Sequence, residues 1–362
     1  MMNTTSWPYA ALVIGALLSF AGTLIVRSWA ARRGFVDVPG GRKAHPRPVA
    51  LGGGIAILFA VVVPMLAAVA AARLFGQDRP AWMPAEFHQH IGGLLAKTPM
   101  ALAIAAAATA ICILGLIDDA RPLPAGLKFL VQLAIALALV VGCNLRLLSH
   151  LHPAISTALS VLWILTLTNS LNFLDNMDGL AAGVGMIAAG VFAMTAQGAG
   201  QVFVPACCWL LAGALMGFLP LNFYPASIYL GDAGSLLVGL LLAVFTILTT
   251  FASPVQGQHP VGVIAPLVVM AVPLYDTLSV IFLRARTGAP IWSGDRRHFS
   301  HRLVSRGMSE RQAVLVIWLA TLVTALPALL LPTASWTLAW GIGLQTVLVV
   351  ALVALLESAG RP

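Results

Sequence analysis

The sequence predicts an all-α, polytopic membrane helical bundle of about eleven transmembrane helices, and three observations carry that expectation. Of 362 residues, 60% are hydrophobic and only 9% are charged, whereas soluble domains carry about 25% charged residues. Apolar stretches of roughly 20 residues, the length a helix needs to cross a bilayer, recur from one end of the chain to the other. The alternating ten-residue strands of a membrane β-barrel do not occur.

Taken in order, the spans fall at 9–31, 50–73, 98–117, 125–143, 154–171, 180–197, 203–221, 233–251, 260–283, 312–331 and 335–356. The first follows Met1–Tyr9, which lacks a basic leader segment, so it is expected to stay in the mature protein. The second follows a basic loop and opens on Leu51-Gly52-Gly53-Gly54, and the third closes on Asp118-Asp119. Pro122 and Pro124 turn the chain before the fourth. Asn172 to Asp178 separate the fifth from the sixth, and Asn222 to Asp232 separate the seventh from the eighth. Asp276 stands inside the ninth. The 33 glycines suit close helix packing in lipid. Cys112, Cys143, Cys207 and Cys208 have no metal-ligand spacing and read as small apolar residues. Residues 1–362 therefore read as one integral-membrane domain, with a basic, histidine-bearing cytoplasmic loop at 284–311.

Lys and Arg in short loops set orientation. With the N-terminus outside and the C-terminus cytoplasmic, 16 of the 20 Lys+Arg fall on the cytoplasmic side, leaving only Arg73, Arg79, Lys97 and Arg146 opposite. The formal charge of +8 is thus topogenic, and no nucleic-acid partner is expected. The same orientation gathers Asp118, Asp119, Asp175, Asp178, Asp232 and Asp276 at the cytoplasmic ends of spans. Acids are scarce here, with only 12 Asp+Glu, and carboxylates at membrane depth are costly and usually functional. Grouped carboxylates also suit a hard cation, Mg²⁺ or alternatively Mn²⁺.

Each motif has a bland alternative. If helical, Asn172, Asp175 and Asp178 recur every three residues and share a face, suited to a cation or sugar hydroxyls; otherwise they cap or line a loop. Asp118 and Asp119 repel each other unless a metal or protons intervene, or they are simply solvated. Lys128 contacts phosphate or snorkels to the interface. Tyr229-Leu-Gly231-Asp232-Ala-Gly234-Ser235 opens a helix where an anion is favoured, or where Asp232 only caps. Asp276 serves a ligand indirectly or packs against a neighbouring helix. In Asp295-Arg296-Arg297-His298-Phe299-Ser300-His301-Arg302 the arginine forks suit phosphate and the histidines suit proton exchange, while a lipid-facing basic loop is the plainer reading. Arg42 and His45 precede the triple glycine as an anion cradle or as a topogenic signal.

Together and in this order, from Arg42 to Leu303, these motifs resemble the polyprenyl-phosphate N-acetylhexosamine-1-phosphate transferase family. The resemblance implies a Mg²⁺-dependent multi-span enzyme of the bacterial cytoplasmic (inner) membrane. Its active site would face the cytoplasm and move a sugar-1-phosphate from a UDP-sugar to undecaprenyl phosphate, releasing UMP. The loop through Asp295 and His301-Arg302-Leu303 is similar to the branch that transfers GlcNAc-1-phosphate. By position, the resemblance implies catalytic roles for Asp118, Asp119, Asp232, His298 and His301, with Asp232, Asp175 and Asp119 as metal ligands. It implies substrate contacts from Arg42, His45, Lys128, Asn172, Asp175, Asp178, Asn222, Tyr229, Asp276, Arg297 and Arg302. Ser300 departs from the pattern, where the family often carries a histidine. The competing expectations are a phospho-MurNAc-pentapeptide transferase, whose three-histidine loop is missing, and a secondary transporter, for which no inverted repeat is seen. Gly-x-x-x-Gly-like spacings leave a homodimer open.

Overall fold

The computed structural model describes residues 7–38, 47–76, 90–251, 259–288 and 298–358. Ten helices among them are long and apolar enough to cross a membrane, and an eleventh crossing is a bent pair. In chain order the helices are α1 (Trp7–Arg33), α2 (Gly53–Phe75), the short α3 (Ile91–Ala96), α4 (Thr98–Ala120) and α5 (Ala125–Leu137, extended by a π-helical turn Ala138–Gly142). Then come α6 (Pro153–Leu174), α7 (Leu180–Gly198), α8 (Phe203–Asn222) and α9 (Gly231–Leu248). A 3₁₀ turn Pro260–Ile264 leads into α10 (Ala265–Val269) and α11 (Ala271–Thr287). After these, α12 (Phe299–Ser305) precedes α13 (Glu310–Ala325), the 3₁₀ segment Leu326–Thr333 and α14 (Trp336–Ser358).

Nearly every expected span is found within a few residues of its place. The exception in shape is the ninth, whose two halves meet at 63°. Pro273 lies three residues into α11 and lacks the N–H that would bond back to the carbonyl one turn earlier, so the helix cannot continue straight through Met270. The 284–311 segment, expected as a loop, contains a helix over Phe299–Ser305.

Burial sorts the bundle. α7, α8 and α9 form its centre, whereas α1, α5 and α14 expose most of their surface, as lipid-facing helices do. α9 runs down the middle, and Gly115 of α4 lets it approach so closely that any side chain there would collide with the Ala233 backbone. At one end a small sheet closes the bundle. β1 (Val36–Asp37) pairs antiparallel with β2 (Val49–Ala50), and Ala50 bridges to Ile228 in parallel. Contacts of Arg27 with Ser227, Gly53 with Tyr229, and Lys128 with Asp232 gather the ends of α1, α4, α6 and α8 at this end, with the starts of α2, α5, α7 and α9.

Candidate active site

The start of α9 organises the polar end of the bundle. A helix begins with N–H groups that have no partner inside it, and at this depth they need one from elsewhere. Asp119, in the last turn of α4, supplies it: its two oxygens accept the N–H groups of Asp232 at 2.8 Å and Ala233 at 3.2 Å. Asp175 accepts the preceding N–H, from Gly231. Gly231 adopts φ 69°, and a Cβ there would meet an Asp119 oxygen at 2.6 Å. Glycine is thus required twice over, for its backbone and for its missing side chain.

Held this way, the Asp232 side chain projects toward α5 and α6. Its Oδ2 lies 3.2 Å from Lys128 Nζ, and the same ammonium lies 2.7 Å from Asp118 Oδ2. Asp118 Oδ1 also accepts the Leu123 N–H at 2.6 Å, which fixes the proline-containing turn into α5. Asp232 Oδ1 accepts a hydrogen bond from Asn172 Nδ2 at 3.0 Å, and that amide nitrogen also reaches Ser235 Oγ at 2.9 Å. Six groups from four helices and one turn therefore converge: Asp118, Asp119, Lys128, Asn172, Asp175 and Asp232. Burial, reinforced by the negative charges of Asp232, Asp119 and Asp178, pushes the Asp175 carboxyl well above the usual carboxylate range.

The three-residue repeat of Asn172, Asp175 and Asp178 does not form a helical stripe. α6 ends at Leu174 and α7 starts after Gly179, whose φ of 75° reverses the chain. Asp178 Oδ2 instead accepts the Ala226 N–H at 2.8 Å. Asn222, implied by the resemblance as a substrate contact, is buried. It accepts the Gly179 N–H at 3.1 Å and donates to the Ile228 carbonyl at 3.0 Å, pinning the two loops together. Tyr229 is held by its backbone, donating to the Ala50 carbonyl and accepting from the Gly53 N–H. Burial, with Asp178 and Asp37 nearby, keeps its phenol protonated beyond its usual range.

A second cluster adjoins the first. Fully buried Asp276 bonds to His298 Nδ1 at 2.8 Å and accepts the Phe299 N–H at 3.0 Å. The His298 ring sits 6.2 Å from that of Phe173. Ser300, at the position where a histidine was anticipated, donates to Asn176 Oδ1 at 2.5 Å. The 172–179 turn is thus in contact with both clusters. His301 is half-buried on α12. Arg302 is engaged elsewhere, on Glu357 at 2.9 Å and Ser279 at 3.0 Å, while the Tyr275 hydroxyl donates to Glu357 at 2.6 Å. Arg42, His45 and Arg297 lie outside the described residues. Sequence reasoning gave no role to Asn176 or Glu357 and quoted Ser235 only as the end of the motif that opens α9. Ser235 falls one helical turn after Asp232, and Glu357 is the lone acid of the last span, so both left a signal; Asn176 left none.

Among the described residues no three His, Cys, Asp or Glu form a ready metal cage. Mg²⁺ seldom needs one, since it keeps waters and takes one or two carboxylates together with substrate phosphates. Asp232 and Asp175 meet that requirement, being hard oxygen donors whose crowded negative charge a cation would relieve.

Comparisons with known proteins address this end of the molecule directly. The model of glycosyl transferase family 4 matches residues 101–250, a stretch that runs from α4 through α9. A probable undecaprenyl-phosphate N-acetylglucosaminyl 1-phosphate transferase of Bacillus subtilis is 31% identical over 334 residues, covering 90% of this chain and 85% of its own. The chain belongs to the polyprenyl-phosphate N-acetylhexosamine-1-phosphate transferase family. A decaprenyl-phosphate N-acetylglucosaminephosphotransferase of Mycolicibacterium smegmatis is 34% identical, with 94% of this chain and 87% of that protein covered. An undecaprenyl-phosphate alpha-N-acetylglucosaminyl 1-phosphate transferase of Escherichia coli K12 is 25% identical, with 83% and 77% covered. This transferase is therefore a multi-pass membrane enzyme. The family model spans the acid–lysine cluster and stops before the His298 segment.

Proposed function

We propose that this transferase moves GlcNAc-1-phosphate from UDP-GlcNAc to undecaprenyl phosphate and releases UMP, as the first membrane step of a cell-surface glycan. The single observation that carries the proposal is Lys128 bridging Asp118 and Asp232 beside a carboxylate-capped helix start. The names of the relatives supply the sugar and the lipid. Acids gathered at one end of the bundle also favour this chemistry over a transporter, whose coupling carboxylates lie near the midplane.

An ammonium has three donors, and two of Lys128's go to Asp118 and Asp232. The remaining donor suits a phosphate oxygen, with the two carboxylates keeping the lysine charged and in place. Asp232 and Asp175 would hold Mg²⁺, which on binding would neutralise the diphosphate and the charge developing on leaving UMP. Asn172 fixes the Asp232 carboxylate, and Asp119 holds the helix that carries it. Because the lipid phosphate has a second pKa of about 6 and is mostly dianionic at neutral pH, positioning outweighs base catalysis. Asp118 is accordingly assigned to orienting Lys128. The positive-charge bias of the loops supports a cytoplasmic position for this end, the side on which UDP-sugars are available.

The test is purified enzyme with Mg²⁺, undecaprenyl phosphate and a panel of UDP-sugars, scored for UMP and for lipid-linked sugar. UMP formed with UDP-GlcNAc and suppressed by EDTA supports the proposal. No UMP with any sugar, under conditions where the protein melts cooperatively, refutes it.

A further inference from the structure

Asp276 is not among the groups bonded to Lys128, yet among the described residues it is a fully buried acid within a membrane-spanning helix. A carboxylate in such a position is costly unless satisfied. Polar side chains of its own helix lie within reach: the Thr277 hydroxyl bonds to the Pro273 carbonyl, and the Ser279 hydroxyl bonds to the backbone carbonyl of Asp276, not to its carboxylate. Both carboxylate oxygens turn instead to the start of α12. Oδ1 takes the Phe299 N–H and Oδ2 takes His298 Nδ1. When the carboxylate is ionised it can only accept, so the bond then puts the proton on Nδ1 and leaves Nε2 as the working nitrogen. Two further contacts tie this segment to the chain around Asn172, whose side chain bonds to Asp232. Phe173, the neighbour of Asn172, lies against the imidazole, and Ser300 ties α12 to Asn176 in the same turn.

We infer that Asp276 is a positioning residue that locks His298 in the Nδ1–H tautomer and so presents Nε2 to the substrate phosphates. This rests on His298 acting in the proposed reaction. The imidazole can then accept a proton at Nε2 or, as imidazolium held by Asp276, donate from it to a phosphate oxygen.

Asp276→Asn separates positioning from packing. Its amide oxygen can still accept the Phe299 N–H, so the helix start survives, while its NH₂ donates to Nδ1 and forces the proton to Nε2. The expected result is a kcat at least about 100-fold lower with KM for UDP-GlcNAc within about threefold, as when an orienting acid is neutralised. In a His298→Gln background the same change should cost under about twofold, because residues acting as one unit are not additive. Selective ¹⁵N-histidine NMR, with His298 assigned by its loss in His298→Gln, should show Nδ1–H in the parent and Nε2–H in Asp276→Asn. An unchanged tautomer, or a full additional loss in the His298→Gln background, overturns the inference. Should Asp276→Asn fail to fold, the tautomer seen in the parent enzyme decides alone, and Nε2–H there overturns it. If His298→Gln keeps parental turnover, the role of His298 in the reaction fails instead, and the NMR result still decides whether Asp276 sets the ring.

Discussion

Removing Asp119 separates an acid that builds the site from an acid that works in it. Asp119→Ala deletes the acceptor for two N–H groups at the start of α9. A single capping side chain is worth about 1 kcal/mol, and charge-assisted bonds are roughly twice as strong as neutral ones. Two such bonds at a half-buried helix start therefore put the loss at about 2–4 kcal/mol. The damage is also local to function, since one of the two orphaned N–H groups belongs to Asp232 itself. We expect Asp119→Ala to lower both the melting temperature in detergent, by several degrees, and turnover, by at least about tenfold if Asp232 shifts out of line. Asp119→Asn keeps an oxygen toward the helix and should recover most of the melting temperature. Asp232→Asn provides the contrast: it relieves like-charge crowding, so the protein should melt at or above the parental temperature while turnover is abolished. Thermal unfolding by intrinsic fluorescence and UMP release read the two quantities on the same samples. Asp119→Ala that melts like the parent and yet is inactive would refute the capping role and return Asp119 to the chemistry.

Other outcomes follow from the same geometry. Burial and neighbouring carboxylates raise the folded-state pKa of Asp175. Its protonated form therefore favours the fold, fully below the unfolded value of about 4, and that contribution fades as pH rises through the raised value. In EDTA the melting temperature should thus fall from acidic toward neutral pH, and Mg²⁺ should restore more at about pH 8 than at about pH 6, because the cation needs the ionised carboxylate. Equal shifts at both pH values, or shifts that persist in Asp175→Asn/Asp232→Asn, would contradict the metal assignment. Gly231→Ala strains a φ of 69° and presses a Cβ on Asp119; it should cost about 1 kcal/mol or more and most of the activity, measured as above. Glu357→Gln weakens the tie among Arg302, Tyr275 and the last turn of α14. It should lower the melting temperature with at most about a threefold change in kcat, since the partners of the Glu357 carboxylate are Arg302 and Tyr275 and not the groups around Lys128. Asp118→Asn should leave measurable turnover, since Lys128 keeps Asp232.

The helices were legible because the bilayer writes its thickness into the chain. Eleven apolar runs of the right length leave little freedom, and even the bend at Met270 had its cause in view at Pro273. That the acids of different spans gather at one end of the bundle was legible too, because alternate span ends share a side. Their partners were not. Asp119 meets α9 across more than a hundred residues of chain, through a close approach set by Gly115, and no local pattern records that docking. The spacing of Asn172, Asp175 and Asp178 pointed the wrong way, because a repeat of three fits a helix and Gly179 ends that possibility only in three dimensions. Asp276 illustrates a different gap: its burial was evident from its surroundings, but nothing in the sequence says that a residue 22 positions later returns to it.

Why the acids divide as they do follows from where a membrane helix is weakest. In lipid the backbone must satisfy itself, and helix starts cannot. A bundle that brings many helix ends together therefore needs acceptors there whether or not it is an enzyme. Asp119 and Asp276 answer that need, each holding backbone N–H at a helix start, and Asp178 likewise fixes the Ala226 loop between α8 and α9. Such bonds move only if the fold moves. Asp232 differs in kind. The partners of its carboxylate are side chains, Lys128 and Asn172 among them. A carboxylate tied to a lysine on a flexible stem can exchange that tie for a cation or let the lysine turn to a phosphate without any helix shifting. The acid best suited to chemistry is the one the architecture leaves replaceably bonded, and in this bundle that acid is Asp232.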